Sequence, residues 1–291
     1  MKAKYINPFT DFGFKKIFGE EASKILLIDF LNNLLPESRI VTLSFKDKEK
    51  QGKSEEERKA VYDIYCENDK GEKIIIELQK AKQNFFKDRT IYYSTFPIQE
   101  QAEKGEWNYE LQSVFCVGIL DFKFEEDKLS KGEVIHTVQL KDHYNQVFYD
   151  KLKFVYVEMP HFSKAENELE TRLDKWLYFI KHLEDFQNIP EVFKDAIFEK
   201  AFENAEIAKY SETERHEYEQ SLKIYRDLKG VIDTAFDEGK LEGKLEGKLE
   251  GKLEGKLEGK LEIAKSLKEN GVAVDIIIKT TGLTSMEIQN L

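Results

Sequence analysis

One short hairpin, spanning residues 61 to 79, constrains the fold of this chain more than any other segment. Two strand-like runs, Val61 to Glu67 and Glu72 to Gln79, flank the turn Asn68-Asp69-Lys70-Gly71. This turn sequence is typical of a type I turn closed by a glycine in the left-handed region, which makes a three-residue hairpin loop with a G1 bulge. In that register Asn68 faces Glu72, and counting back along both strands places Asp63 opposite Glu77.

Three oxygen-bearing side chains are expected on one face of this hairpin. Because side chains alternate between faces, Gln79 lies on the same side as Asp63 and Glu77. Two carboxylates that face each other a few ångströms apart repel, and a divalent metal bound through oxygen ligands is the usual solution. A solvated sheet face is the alternative, but the run Ile74-Ile75-Ile76 indicates a buried hairpin, where unpaired carboxylates are costly. The hairpin is therefore predicted to form half of a metal site.

The composition predicts a globular front and a charged, helical back. With 291 residues, 41% of them hydrophobic and 21 of them Phe, the chain has ample material for a packed core. The formal net charge of −11 disfavours tight non-specific binding of DNA, although a locally basic cleft or bound divalent cations can reverse the local sign. Cys66 and Cys116 lie in apolar runs without metal-ligand spacing and are expected to be buried thiols.

Neither a membrane span nor a signal peptide is expected. The chain has no apolar stretch of about 18 residues, the length that indicates a transmembrane helix. The segment Met1 to Pro8 lacks the apolar core of a signal peptide. We therefore expect a cytoplasmic protein that has no membrane partner.

Apolar periodicity divides the chain into a mixed α/β domain and a helical extension. Helical spacing predicts two short helices between Pro8 and Leu35, and another from about Asn84 to Lys104 whose aromatic residues imply burial against a sheet. The apolar run over 114–122 is typical of a strand covered on both faces. Other expected elements are strands at Ile40 to Lys46, Val134 to Leu140 and Phe154 to Met159, a polar loop at Asp47 to Lys59, and helix from Glu166 onward. This order predicts an α/β domain with a helical extension over residues 1 to 230.

Residues 239 to 262 are six tandem copies of Gly-Lys-Leu-Glu. On a helix each residue type forms a column that drifts by about 40° per copy, with Leu opposite Gly and Lys opposite Glu. A lone helix is expected to be marginal, because like charges recur four residues apart and each glycine costs roughly 0.8–1 kcal/mol against alanine. Pairing with a second copy would pack the Leu columns together. Residues 231 to 262 are thus interpreted as a helical segment that promotes homo-oligomers, and a flexible spacer grown by slippage during DNA copying is the alternative.

The tail, residues 263 to 291, is expected to form a small helical unit. Three short helical segments and the turn Thr280-Thr281-Gly282-Leu283-Thr284 resemble a helix-turn-helix. Residues 284 to 290 contain no Arg or Lys that could reach phosphate or guanine. Docking to protein is therefore favoured over the reading of DNA by this tail.

The hairpin pattern fits the hydrolysis of a phosphodiester, which needs a metal to activate water and to offset charge on the transition state. Asp63 and Glu77 can hold that metal, and a group two residues after the Glu can orient the attacking water. This third group is usually Lys. Here it is Gln79, which can hydrogen-bond a water or a phosphate oxygen but supplies no positive charge.

Asp63 followed by Glu77-Leu78-Gln79 on the next strand resembles the PD-(D/E)XK nuclease motif, with a variant Glu-X-Gln ending and with Tyr62 where a proline often stands. The chain is similar over nearly its whole length to the Rpn family of recombination-promoting nucleases, also called PD-(D/E)XK family transposases. The similarity is carried by Asn7-Pro8-Phe9-Thr10-Asp11-Phe12-Gly13-Phe14-Lys15-Lys16-Ile17-Phe18, by Arg89, Tyr92, Tyr93, Gln101, Gly105 and Tyr109, and by the Gly-Lys-Leu-Glu array with its tail.

This resemblance implies an α/β fold, with a restriction-endonuclease-like mixed sheet flanked by helices and a helical C-terminal extension. It also implies magnesium-dependent cleavage of DNA in recombination, transposition or defence against foreign DNA. Position by position, Asp63 and Glu77 become metal ligands, Asp11 an additional acidic ligand, and Gln79 replaces the usual lysine. Mg²⁺ is the expected cofactor and Mn²⁺ the alternative.

Arg89 and Gln101 fall on one predicted helix face together with Tyr93 and Pro97. Such a face packs against other elements more often than it contacts DNA. The functional interpretation is that Arg89 and Gln101 bind the nucleic-acid backbone.

The sequence as a whole predicts a cytoplasmic DNA endonuclease. In the expected mechanism, a water held on Mg²⁺ between Asp63 and Glu77 attacks phosphorus, and Gln79 positions that water. Dimers would suit double-strand cutting, because two active sites can address two strands. The rival prediction is a catalytically degenerate scaffold that binds DNA or protein through the repeat and tail, and a helix-turn-helix regulator is a third.

Overall fold

The computed structural model describes residues 3–47, 49–50, 60–102, 107–124 and 132–291. Its helices are α1 (Asp11–Phe18), α2 (Lys24–Leu34), α3 (Phe86–Gln99), α4 (Arg172–His182), α5 (Ala196–Ala205), α6 (Glu212–Glu269), α7 (Val274–Thr281) and α8 (Ser285–Gln289). Its strands are β1 (Leu43–Phe45), β2 (Glu49–Lys50), β3 (Ala60–Val61), β4 (Ile64–Asn68), β5 (Lys73–Gln79), β6 (Val114–Leu120), β7 (Ile135–Lys141) and β8 (Val147–Glu158). The chain divides into two compact units, Met1–Lys229 and Gly230–Leu291.

A six-stranded mixed sheet in the order β1-β4-β5-β6-β8-β7 organises the first unit, which confirms the predicted α/β class. Strands β1, β4 and β5 are antiparallel neighbours, β5, β6 and β8 run parallel, and the edge strand β7 is antiparallel to β8. The carboxyl ends of β5, β6 and β8 therefore lie at one edge of the sheet. In open α/β sheets this edge is where ligands usually bind.

Helices cover both faces of the sheet because its central strands are apolar on both sides. All seven residues of β6 are buried, as the continuous apolar run predicts. On β5, Ile74 and Ile76 pack into the larger core with residues of α1, α2, α4 and α5. Ile75 faces the opposite way, into a smaller aromatic core with Phe86 of α3. Since side chains alternate, Glu77 belongs to the α3 face of the sheet.

A tight turn before α1 sets the position of its charged residues. The hydroxyl of Thr10 caps the helix by accepting a hydrogen bond from the Gly13 amide at 2.9 Å. A Cβ atom on Gly13 would lie 2.2 Å from the carbonyl oxygen of Asn7, so this fold-back requires glycine. In this arrangement Asp11 and Lys15 are close enough to Asp63 to influence its ionisation.

Two predicted boundaries move for local reasons. The helix expected from Asn84 begins at Phe86, because Phe85 has a left-handed φ of 61°. Strand β8 begins at Val147 rather than at the expected Phe154. Its first residues pair with β7 alone, in an exposed ribbon that lacks a continuous apolar run.

The remaining differences concern the segment before the hairpin. The strand expected at Ile40 to Lys46 is confined to Leu43–Phe45. Within the expected polar loop, β2 pairs with β3 in a two-residue antiparallel contact, while residues 48 and 51–59 lie outside the described residues. Helix α3 ends at Gln99, before the expected end at about Lys104, and Lys104 and Gly105 themselves also lie outside the described residues.

The second unit holds the repeat and a small core of its own. Residues 239 to 262 are helical throughout, as part of α6. Beyond them, α7 and α8 pack against the end of α6 and bury Ala264, Ile277, Leu283 and Ile288. Gly282, with φ of 71°, ends α7, and a capping box at Thr284 starts α8.

Both cysteines are free and buried, as predicted. Burial raises the pKa of the Cys66 thiol to about 12, so this thiol stays protonated near neutral pH. Among the helices of the described residues, none combines the length and the hydropathy that crossing a membrane requires.

Candidate active site

The hairpin has the register that its turn predicts. The amide of Gly71, whose φ is 77°, donates to the carbonyl of Asn68 at 3.0 Å, and the Asn68 amide donates to the Glu72 carbonyl at 3.1 Å. The ladder then runs from Glu67 opposite Lys73 to Ile64 opposite Ile76. Asp63 and Glu77 are the next residues on the two chain segments, one step beyond this last pair.

Asp63 lies immediately before β4 and reaches across to the neighbouring strand. Its Oδ2 accepts a hydrogen bond from the backbone amide of Leu78 at 2.7 Å. Burial raises the pKa of the Asp63 carboxyl; the Leu78 amide opposes this rise, the charge of Asp11 adds to it, and Lys15 and Lys80 oppose it. The Leu78 hydrogen bond holds one oxygen of Asp63 in place beside β5.

Glu77 is buried, and its carboxylate has fewer partners than it can accept. The residue is only 8% exposed, and its Oε1 has no hydrogen-bond partner among the described residues. Burial, and then the charge of Asp63, raise the pKa of Glu77 to about 8 against the weaker pull of Arg89. A buried carboxylate with an open oxygen is costly unless something binds it.

Gln79 follows Glu77 on the same face of β5 and is 7% exposed. Its side-chain amide nitrogen donates to Glu77 Oε2 at 3.4 Å, and its backbone carbonyl accepts from the amide of Asp121 at 2.9 Å. The structure thus places all three predicted residues, Asp63, Glu77 and Gln79, together at the end of the hairpin.

The donor atoms of these side chains fit a hard divalent cation. Two carboxylates and an amide oxygen are ligands that Mg²⁺ accepts, with water and phosphate oxygens completing its coordination. The open Oε1 of Glu77 is the atom that such a cation would satisfy. Within the described parts of the chain, no three His, Cys, Asp or Glu side chains lie close enough to hold a metal by themselves.

Asp11 does not join the two carboxylates in such a group. It projects from α1, its side chain is 58% exposed, and its Oδ1 accepts a hydrogen bond from Lys80 Nζ at 2.8 Å, which makes an ion pair. Lys80 directly follows Gln79, so its side chain faces the other side of β5. The pairing of Asp11 with Lys80 gives Asp11 a partner other than the expected metal.

Arg89 lies beside Glu77, which the sequence did not indicate. From α3, its Nη2 approaches Glu77 Oε2 to 4.0 Å, and its Nη1 donates to Gln83 Oε1 at 2.6 Å. Its guanidinium also lies over the ring of Tyr93, 5.4 Å from the centroid. Its Nε is buried without a hydrogen-bond partner among the described residues, so Arg89 keeps one donor available next to the carboxylates.

Gln101 is held by backbone groups away from this cluster. It lies beyond the end of α3, and its Oε1 accepts from the amide of Gln112 at 2.6 Å while its Nε2 donates to the Pro97 carbonyl at 3.0 Å. These contacts tie the end of α3 to the segment before β6. The structure brings Arg89, and not Gln101, next to Glu77.

A polar cavity of about 460 Å³ lies at the carboxyl edge of the sheet and was not anticipated from the sequence. It is lined in part by Asp121 after β6, Met159 after β8, and Lys181 and Lys229. Burial lowers the pKa of Lys181. The position of Asp121 directly after an apolar strand was the available signal, because strand ends at this edge carry functional residues.

An Asp and a Glu on adjacent strands, with a polar side chain two residues after the Glu, on a mixed sheet flanked by helices, define a restriction-endonuclease-like protein. A family model described as PD-(D/E)XK nuclease family transposase matches residues 8–235, and the chain belongs to this family. The similarity predicted from the sequence and the fold it implies are thereby confirmed. No curated protein and no solved structure gave a significant match.

Proposed function

We propose that this protein is a metal-dependent DNA endonuclease whose active site consists of Asp63, Glu77 and Gln79. The observation that carries the proposal is the proximity of the half-buried carboxylate of Asp63 to the buried carboxylate of Glu77, which has an oxygen that lacks any partner among the described residues. Without a cation this arrangement is unfavourable, because the pKa values of both Asp63 and Glu77 are raised. A fold that keeps such a pair is typical of a functional site.

Mg²⁺ is the cofactor that the donor set suits best, and Mn²⁺ accepts the same oxygen ligands. When bound, the cation would activate a water molecule and offset the charge that develops on the phosphate. Asp63 and Glu77 are the residues that would hold it. Membership of a nuclease family supports DNA as the substrate.

The chain's own residues orient the reactants. The Leu78 amide holds Asp63 Oδ2, which limits the rotation of this carboxylate. Gln79, 3.4 Å from Glu77 Oε2, can hold a water or a phosphate oxygen close to the carboxylates. An oriented water close to the phosphorus atom accelerates attack because little entropy remains to be lost.

Arg89 supplies the positive charge that Gln79 lacks. Its guanidinium lies 4.0 Å from Glu77 and carries an Nε–H without a partner among the described residues. Guanidinium groups bind phosphate through charge-assisted hydrogen bonds. We assign Arg89 to the phosphate at the cleavage site rather than to the distant DNA backbone.

Cleavage of supercoiled plasmid with Mg²⁺ tests this function. The wild-type protein should nick the plasmid, EDTA should stop it, and Asp63→Ala and Glu77→Ala should each abolish it. Glu67→Ala is the matched control, because Glu67 lies on the same hairpin and is paired with lysines. Nicking that survives both active-site substitutions, or that never appears at any protein concentration, would refute the proposal.

A catalytically degenerate scaffold is the second candidate, and the neutral Gln79 at the position of the usual lysine favours it. In that case the protein would bind DNA or protein without cutting DNA. The plasmid assay separates the two candidates. For the active enzyme, the family supports a role in recombination, transposition or defence against foreign DNA, which would take place in the cytoplasm.

We further propose that copies of the chain associate through residues 239 to 262. From Leu241 to Leu257 the five Leu residues of the repeat are 50–61% exposed, which is a large apolar surface for a helix in water. Deleting residues 239 to 262 should lower the mass measured by light scattering. An unchanged mass would contradict association through the repeat.

A further inference from the structure

The repeat presents its side chains in separate columns along α6. Leu241, Leu245, Leu249, Leu253 and Leu257 form one exposed column. The glycines occupy the opposite side, and a Cβ atom added at any repeat glycine from 239 to 259 would have open space around it. The next Leu of the column, Leu261, packs against the core formed with α7 and α8. The column is thus covered at its C-terminal end and bare along the rest.

The spacing of the column limits how long two such helices can stay in contact. Residues four apart form a ridge inclined by about 26° to the helix axis, and two helices that pack through these ridges cross at about 50°. Each copy rises by about 6 Å, so a crossing at this angle buries roughly two or three copies on each helix. A contact centred on Leu249 would use Leu245, Leu249 and Leu253.

The charged columns distinguish the two possible directions of the partner helix. Seen along α6, Glu lies about 100° to one side of Leu and Lys about 100° to the other. In a parallel pair the twofold axis runs along the helices, so the Glu column of one copy meets the Lys column of the other. In an antiparallel pair whose Leu columns face each other, the twofold axis is perpendicular to the helices. The Glu column of one copy then faces the Glu column of the other, and the Lys columns likewise face each other.

We propose that two copies of this chain associate through their Leu columns, with the repeat helices running in the same direction. This inference rests on the association through the repeat proposed above and specifies its geometry. The parallel pair combines burial of Leu on both helices with attraction between Lys and Glu columns. It also places the N-terminal ends of both repeats at the same end of the contact.

One competing arrangement sets the Leu column of one helix into the glycine column of an antiparallel partner, where the charges also match. That contact buries the Leu of only one copy, and it leaves a second Leu column open on the partner. The parallel pair closes on itself, as symmetric dimers do.

Distances between spin labels on the full-length chain test the direction. The native thiols are buried, at 0% exposure for Cys66 and 6% for Cys116, so labels attach to Glu238→Cys or Lys265→Cys, which lie about 40 Å apart along the helix. In a parallel dimer, Glu238→Cys with itself and Lys265→Cys with itself should each give shorter distances than the mixed pair. Shorter distances in the mixed pair would overturn the proposal.

Two triple variants test the surface used. Leu245→Ala, Leu249→Ala and Leu253→Ala together should weaken dimerisation at least tenfold, measured by light scattering over a dilution series. Gly247→Ala, Gly251→Ala and Gly255→Ala are the matched control on the opposite column and should leave dimerisation intact. Weaker association in the glycine variant would instead favour the Leu-into-Gly contact. A monomer in the wild-type protein would refute association itself, whereas a dimer with antiparallel distances would refute only the direction.

Discussion

Near its turn, the hairpin places Glu67 opposite Lys73, and at its other end Asp63 and Glu77 are the next residues beyond the last pair, Ile64 with Ile76. Burial opposes ionisation of Glu67, but hydrogen bonds from Lys73 and Lys46 outweigh it and hold the pKa of Glu67 below its ordinary value. At the other end, burial and the charge of Asp63 raise the pKa of Glu77 to about 8. Two acidic residues on one strand pair thus have opposite electrostatic surroundings.

The difference supports the proposal that the end with Glu67 is structural and the end with Glu77 is functional. At Glu67 the fold supplies lysines, so the carboxylate contributes to stability. At Glu77 the only nearby cation among the described residues is Arg89, whose Nη2 is 4.0 Å away. Buried carboxylates that have a raised pKa and an unpaired oxygen are found preferentially at functional sites. The comparison therefore supports the proposal that Glu77 is a ligand of the metal ion.

The strongest test compares cleavage rates after isosteric removal of charge at each end. Asp63→Asn and Glu77→Gln should each lower the rate of plasmid cleavage by about 10³-fold or more, since each removes a ligand of the cation that offsets transition-state charge. Glu67→Gln should stay within about threefold of the wild type, because its partly buried ion pair lies at the other end of the hairpin. If Glu67→Gln lowered the cleavage rate as much as Asp63→Asn and Glu77→Gln, the two ends of the hairpin would not differ in function.

The second test measures stability against pH in EDTA. The folded-state pKa of Glu77, about 8, exceeds its ordinary value of 4.5, so its contribution to stability is fully present below pH 4.5 and is lost as the pH rises through 8. Glu77→Gln should therefore stabilise the metal-free protein by a few kcal/mol at pH 9 and by little at pH 4. Urea unfolding at both pH values measures the difference.

In the same experiment, Glu67→Gln should change the free energy of unfolding in the opposite direction. Because the pKa of Glu67 is lowered, its contribution to stability is present above the ordinary pKa and is lost as the pH falls. The substitution should cost about 1 kcal/mol at pH 7 and less at pH 3. Equal pH profiles for the two variants would contradict the contrast between the ends.

The third test concerns Arg89, whose guanidinium group lies beside Glu77. Arg89→Gln should reduce cleavage by about 10- to 100-fold, because one charged donor to the phosphate is lost, and Arg89→Lys should recover part of the activity. Lys87→Gln, on the same helix, is the control and should change cleavage little. If Lys87→Gln lowers the rate as much as Arg89→Gln, the role of Arg89 is general attraction of DNA.

The smallest expected effect is that of a substitution in the turn that fixes the register of the hairpin. Gly71 has φ of 77°, so Gly71→Ala should cost about 1 kcal/mol of stability by thermal unfolding. Cleavage per folded molecule should remain unchanged, because the register is retained. A large loss of cleavage in the folded variant would show that the turn also shifts Asp63 relative to Glu77.

The register of the hairpin could be predicted because its causes are local. The turn Asn68 to Gly71 and the alternation of the strands decide which side chains meet, and both are visible in the sequence. The same holds for the apolar run of β6. The proposed site residues that depend only on this register, Asp63, Glu77 and Gln79, were therefore within reach of sequence reasoning.

Contacts made by tertiary packing could not be predicted in this way. Arg89 meets Glu77 only because α3 packs across β5, and Asp11 meets Lys80 only because of the tight turn before α1. The first residues of β8 escaped prediction because an exposed ribbon has no apolar pattern. The helical state of the repeat was likewise open, since propensity alone makes six glycines and alternating charges marginal.

The identity of the six copies in α6 has a genetic consequence. Each copy is encoded by a whole number of codons, so loss or gain of one copy during replication leaves the downstream reading frame intact. The tail that covers Leu261 would still be translated, and the first unit, which lies upstream, would be untouched. Inheritance could therefore lengthen or shorten this helix in steps of one turn without inactivating the gene.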